Sequence, residues 1–265
     1  MALIGVSGKI GAGKDLVGKI IQYLSIVNMK DRSSTYFTSD FNDFVYRYES
    51  NLKNVSNWQI VKFADKLKEC ISIITGISRE DLEKSEVKNS NLSSEWNKPR
   101  ISEDMYGIQY ISNIATPITV RSLLQLFGTE VGRSIHPDFW VNALFSEYKD
   151  IGYFSNEEAT ASDGGYYNKK VWNQKYPNWI ITDMRFLNEL KAVKDRGGIT
   201  IRCSRKQLIK TQNCTVVYDP KFDSKEHLSE TVLDNATFDY YINNNGTIEE
   251  LIVMVKDILI KERII

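Results

Sequence analysis

The chain is poor in the residues that staple or metallate small folds. Three cysteines (Cys70, Cys203 and Cys214) are too few and too scattered for a disulfide framework or a zinc module. Two histidines do not make a metal site, so His227 and Glu230 read as local hydrogen-bonding groups. No apolar stretch approaches the ~18–20 residues of a membrane span. The N-terminus lacks a basic start, and Lys9 and Lys14 interrupt any signal-like run. Charge of one sign is missing too: 34 Lys+Arg balance 34 Asp+Glu, which argues against a protein that coats nucleic acid by neutralising many phosphates. A soluble protein of a reducing cytoplasm is expected, with no membrane and no polymeric nucleic acid as partner.

What is present suits a globule. At 265 residues and 42% hydrophobic, the chain can bury a sizeable core. Short apolar runs predict strands at Ala2–Val6, Gln59–Ala64, Trp179–Thr182, Gly198–Cys203 and Tyr240–Asn243. Helical stripes lie between them: Leu16 to Val27, Leu67 to Ile74, and a last helix opened by the Thr247/Glu250 capping box. Strands alternating with helices predict an α/β fold, a central parallel sheet of about five strands with helices on both faces. Two polar stretches, about 85–117 and 152–178, read as insertions at the edge of a single domain and as candidate lids, with a hairpin at the second.

The strongest signal is Gly8-Lys9-Ile10-Gly11-Ala12-Gly13-Lys14, directly after a strand and directly before a helix. This is the G-x-x-x-x-G-K core of a phosphate-binding loop. Glycines let backbone N–H groups fold inward around an anion, the helix N-terminus adds partial positive charge, and the lysine reaches the β- and γ-phosphates. Asp15 stands where Ser or Thr usually offers a hydroxyl to Mg²⁺; a carboxylate can serve that ion directly or through water.

Thr119–Arg133 has helical spacing with two separable faces. Val120, Leu123, Leu124, Phe127 and Val131 form the core side. Arg121, Gln125, Gly128 and Gly132 form a neighbouring stripe about 60° wide. Two glycines on one face predict close approach, either by a ligand or by another helix or strand. On the ligand reading Arg121 clamps a phosphate and Gln125 meets a base edge. In Trp179–Glu189 an apolar strand ends in Asp183, a Walker-B-like carboxylate and second metal candidate, where open parallel sheets place ligands. Arg185 follows as a phosphate clamp held by Glu189; the plainer alternative is an exposed i,i+4 pair. Phe63 and Lys68 follow another strand in the same manner, and Trp140 is a candidate for stacking on a base.

Taken together, Gly8–Asp15, Phe63–Lys68, the LQxxGTExGR run within Arg121–Arg133 (which contains Thr129), Asp183–Glu189, Leu228–Leu233 and Asp239–Gly246 resemble the deoxynucleoside monophosphate kinases of tailed bacteriophages. That family is a branch of the P-loop kinase fold. The resemblance implies transfer of the γ-phosphate of ATP, with Mg²⁺, to a deoxynucleoside 5′-monophosphate. It implies Lys14, Arg121 and Arg185 as catalytic groups, and substrate contacts from Phe63, Lys68, Gln125, Gly128, Thr129, Trp140, Asp183 and Glu189. It also suggests a homodimer in the cytoplasm of an infected host. The family often places Thr directly after the loop Asp, where this chain has Leu16. A P-loop kinase for another small phosphorylated metabolite and a non-catalytic ATP-binding regulator remain the alternatives. The basic group Arg202, Arg205 and Lys206 is a further candidate lid.

Overall fold

The computed structural model describes residues 3–27, 40–48, 56–103, 109–160, 166–211, 214–218 and 231–265. His227 and Glu230, Ala2, the Gly164-Gly165 pair and part of Leu228–Leu233 lie outside them. The chain forms two compact units, one made of Met1–Lys62 with Leu144–Ile265, the other of Phe63–Ala143.

The first unit is built on five strands: β1 (Leu3–Ser7), β2 (Trp58–Val61), β7 (Asn178–Met184), β8 (Ile199–Ser204) and β11 (Tyr240–Asn243). They pair in the order β11-β8-β1-β7-β2, every neighbour parallel. All five residues of β1 are buried, as a central parallel strand covered on both faces requires. On one face pack α1 (Lys14–Val27) and α9 (Ile248–Lys261), through Val17, Ile20, Ile21 and Leu24 of the first and Leu251, Val255 and Leu259 of the second. The other face carries α8 (Leu187–Asp195), whose Val193 lies with Met184 against Gly5. The predicted capping box is present at α9: Thr247 Oγ1 accepts the Glu250 N–H, and Glu250 accepts that of Thr247. A further helix, α2 (Phe41–Tyr48), lays Phe41 and Phe44 against Tyr23.

β1 and β7 do not keep step. Gly5 pairs with Ile181 and Ser7 with Met184, so two residues of β1 span three of β7. The extra residue falls at Thr182-Asp183, the end of the strand expected to carry a ligand. Bulges of this kind re-aim side chains beside functional sites.

The second unit holds α3 (Phe63–Thr75), α4 (Ser85–Asn89), the antiparallel hairpin of β3 (Lys98–Glu103) and β4 (Gln109–Thr116), α5 (Val120–Gln125), α6 (Gly132–Ile135) and most of α7 (Phe139–Phe145). Ile71, Leu82 and Val120 form its buried centre, with Leu67, Leu123, Leu124 and Phe127 packed around them. The stretch 152–178 forms the expected hairpin, β5 (Tyr153–Thr160) with β6 (Tyr166–Asn173). A last pair, β9 (Gln207–Thr211) and β10 (Cys214–Tyr218), is also antiparallel.

Two local expectations need correction. The predicted strand Gln59–Ala64 stops at Val61, and Phe63-Ala64 open a helix instead. A short apolar run carries no period by which strand and helix can be told apart. The helix predicted over Thr119–Arg133 is α-helical only to Gln125, and Leu126–Val131 widens into a π-helix. Side chains occupy the carbonyls that the regular ladder would use: Thr129 Oγ1 donates to Gln125 O and Trp140 Nε1 to Gly128 O. The Gly132 N–H then reaches back five residues, to Phe127 O.

Candidate active site

The loop Gly8–Lys14 follows the C-terminal end of the central strand β1, in the crevice where open parallel sheets bind ligands. Gly11 and Gly13 have φ of 79° and 97°, the left-handed region that an anion-binding nest uses and that other residues avoid. The next two strands grip the loop from below. Asn244, just after β11, is buried and donates Nδ2–H to Ala12 O at 3.0 Å; Cys203 Sγ lies 3.0 Å from the same carbonyl. A Cβ at Gly8 would stand 2.3 Å from Cys203 O, so glycine there is a matter of space. Burial raises the Cys203 thiol to about 11, against the pull of Lys14, Arg205 and Arg202, so it stays protonated and a donor.

Lys14 turns its ammonium into the loop, donating to Gly8 O at 2.6 Å and Lys9 O at 2.9 Å. Ile10, at the tip, is 65% exposed. Lys9 pairs with Asp234 at 3.7 Å. Asp234 also binds Arg202, whose Nη1 donates to the buried Ser7 Oγ at 2.9 Å; Ser7 in turn donates to Met184 O. Arg202 is therefore a strut on β8 that ties loop, β1 and Asp234 together, not part of a lid.

Asp15 sits in the first turn of α1. Its Oδ1 accepts the Thr182 hydroxyl at 2.7 Å and pairs with Lys62 Nζ at 2.8 Å. Desolvation works to raise the carboxyl, but Lys62, Thr182 and Lys14 outweigh it and hold it below the usual carboxylate range. Its Oδ2 has no hydrogen-bond partner among the described residues. An ionised carboxylate with one oxygen fixed and one open, beside a lysine in a glycine loop, fits a phosphate-bound divalent cation. Among the described residues no group of three His, Cys, Asp or Glu comes together, so a cation here would complete its shell with phosphate and water oxygens.

Asp183, at the bulge of β7, is half-buried, and Arg185 follows the strand. Glu189 meets the backbone of the turn. It is buried, and its Oε2 accepts the backbone N–H of Arg185 at 2.7 Å and of Phe186 at 3.1 Å, which caps α8.

In the second unit Arg121 and Gln125 are exposed on α5, with Arg121 Nε donating to Asn89 Oδ1 at 2.9 Å. Other expectations there give way to packing. Gly128 abuts Leu67 and Gly132 abuts the Trp140 ring, so it is the protein itself that makes the close approach. Trp140 is 4% exposed, its ring against Phe127 and Phe139 and its N–H on Gly128 O, which leaves no open face for a base. Phe63 is likewise buried. Lys68 places Nζ 2.8 Å from both oxygens of Glu83 and so belongs to an ion-pair cluster with Arg79 and Asp65.

Sequence reading missed Lys62, Thr182, Ser7, Asn244 and the Arg202–Asp234 pair. Only Asn244 had a usable signal, an Asn-rich turn directly after the last strand.

The sequence profile of the deoxynucleotide monophosphate kinase family matches residues 23–255. The chain belongs to this family. It is a phosphotransferase that moves a phosphoryl group from a nucleotide donor to a deoxynucleoside monophosphate. The match begins after the loop Gly8–Asp15, so the loop geometry and the family assignment are independent observations. A direct comparison with curated proteins finds no match. No helix among the described residues is long and apolar enough to cross a membrane.

Proposed function

We propose that the donor is ATP, bound with Mg²⁺ at Gly8–Asp15, and that Arg121 and Arg185 hold the phosphate of the acceptor. The observation that carries the donor assignment is the Lys14 ammonium, seated on the Gly8 and Lys9 carbonyls beside an ionised Asp15. Lys14 exchanges those carbonyls for β- and γ-phosphate oxygens, and the loop amides take the remaining charge. An oxygen of the acceptor phosphate attacks the γ-phosphorus in line, the bond to the β–γ bridging oxygen breaks, and ADP and the deoxynucleoside diphosphate result. No general base is required, because a phosphate monoester is mostly dianionic at pH 7. Positioning and electrostatics therefore carry the catalysis, with the arginines offsetting charge on the transferring group. Asp15 and Asp183 are the residues that would hold Mg²⁺, directly or through water; when bound, the ion neutralises charge between the β- and γ-phosphates.

The acceptors are free nucleotides, a reading supported by the zero net charge. The resemblance to phage enzymes extends it to a cytoplasmic homodimer, which sedimentation would test. The functional test is incubation of each dNMP separately with ATP and Mg²⁺, with products resolved by chromatography. ADP and one dNDP should appear in equal amounts and vanish in EDTA. Turnover with another nucleoside triphosphate but not with ATP would replace the donor.

A further inference from the structure

Lys62 lies between β2 and α3, in no motif. The fold makes it part of a three-element contact on one carboxylate oxygen. Its Nζ is 2.8 Å from Asp15 Oδ1, the same atom that accepts the Thr182 hydroxyl at 2.7 Å. The end of β2, the end of β7 and the first turn of α1 therefore meet at Asp15 Oδ1. The Lys62 and Asp15 side chains are 30% and 61% exposed, and an ion pair so wet contributes little to stability. Its consequence is electrostatic and local. Asp15 directly follows Lys14, so a full negative charge stands where a polyphosphate must arrive. Without a counter-charge, carboxylate and phosphates repel until a divalent cation separates them.

We infer that Lys62 is a positioning residue of the donor site: it supplies the counter-charge to Asp15 that lets a polyphosphate enter the loop before any divalent cation, and it holds Oδ1 so that Oδ2 is the oxygen presented. The inference rests on the reading of Gly8–Asp15 as the donor loop. It assigns no bond-making step to Lys62. The entering charge is that of a nucleoside di- or triphosphate, so ADP serves as a probe that cannot turn over in the absence of an acceptor.

The test is calorimetric titration of ADP into the full-length protein, once with Mg²⁺ and once in EDTA, with thermal melts to confirm folding. Wild type should bind in both. Lys62→Ala should lose about tenfold or more in EDTA but less than about threefold with Mg²⁺. Lys62→Arg should keep the wild-type pattern. Asp15→Asn in the Lys62→Ala background should restore binding in EDTA, because it removes the charge that Lys62 offsets. Equal losses with and without Mg²⁺, no rescue by Asp15→Asn, or a wild type that binds ADP only with Mg²⁺ would each overturn the inference while leaving the donor loop in place. A wild type that binds ADP under neither condition would instead remove the loop reading itself.

Discussion

Asn244 and Gly13 are fitted to each other: a Cβ on Gly13 would lie 2.3 Å from Asn244 Nδ2, the same nitrogen that donates to the Ala12 carbonyl. The loop Gly8–Lys14 is thus shaped by a residue 232 positions away from the carbonyl it binds. Asn244→Ala should cost about 1–2 kcal/mol, since a buried carbonyl keeps only the weak thiol donor of Cys203. It should also raise the KM for ATP while leaving that for dNMP unchanged. Gly13→Ala should be worse, because it adds strain at φ 97° to the clash. Urea midpoints and separate substrate titrations check both. An unaltered ATP KM in a destabilised Asn244→Ala enzyme would mean that the contact supports the fold and not the loop.

Lys14→Ala should separate activity from stability. Gly8 is buried and Lys9 half-buried, so losing the ammonium from their carbonyls should cost only about 1–2 kcal/mol of stability. If Lys14 is the main cation at the transferring phosphate, as proposed, kcat should fall about a hundredfold or more. Retention of more than about a tenth of kcat, a loss under ~1.4 kcal/mol, would displace Lys14 from the phosphates.

These outcomes rest on features of unequal legibility. The loop, the sheet and the capped helix α9 were readable because their chemistry is local: glycines, a lysine and a Thr/Glu pair within one or two turns. The gripping contacts were not. Thr182 and Asp15 stand 167 residues apart, and no spacing rule links them. Lys62 falls inside the apolar run Gln59–Ala64, and the Glu83 cluster that absorbs Lys68 forms only once α3 has folded. The π-turn was hidden for a like reason, since the N–H that widens it comes from Trp140, twelve residues on. Periodicity treated the helix as alone, and tertiary hydrogen bonding overrode it.

The Glu83 cluster gives the second unit an acid-sensitive prop. Burial alone would raise Glu83, yet Lys68 and Arg79 bring it from 4.5 to about 2. A lowered carboxyl stabilises the folded form above its unfolded pKa, near 4.5, and that contribution fades as pH falls toward 2. Half of the side chain is exposed, so screening leaves about 1 kcal/mol. Glu83→Gln should be less stable than wild type at pH 7, and the gap should narrow steadily below about pH 4. A gap that stayed constant with pH would assign the loss to packing.

Gly132→Ala should cost about 1–3 kcal/mol, because its methyl meets the Trp140 indole at 2.8–2.9 Å and that ring is locked by its bond to Gly128 O. Gly128→Ala meets only the end of Leu67, at 2.8 Å, and a rotamer change should hold its cost below about 1 kcal/mol. Chemical denaturation compares the two. If Gly128→Ala were the more damaging for dNMP binding with stability intact, the ligand reading of that face would return.

Arg121→Ala and Arg185→Ala should fail in a different manner from the loop variants. Arg121 is exposed and touches Asn89 by one hydrogen bond, so its loss should leave the second unit folded. At Arg185 the cap of α8 uses the backbone N–H, which truncation of the side chain spares. Each variant removes a guanidinium, and thermal melts should confirm that each remains folded. If both guanidiniums hold the acceptor phosphate, the KM for dNMP should rise about tenfold or more while that for ATP moves little. Asn89→Ala should show the same pattern more weakly, because it frees Arg121 without removing it. Initial rates with one substrate saturating and the other varied will separate the two sides. A rise in the ATP KM instead would transfer that arginine to the donor, and the acceptor phosphate would then need another cation.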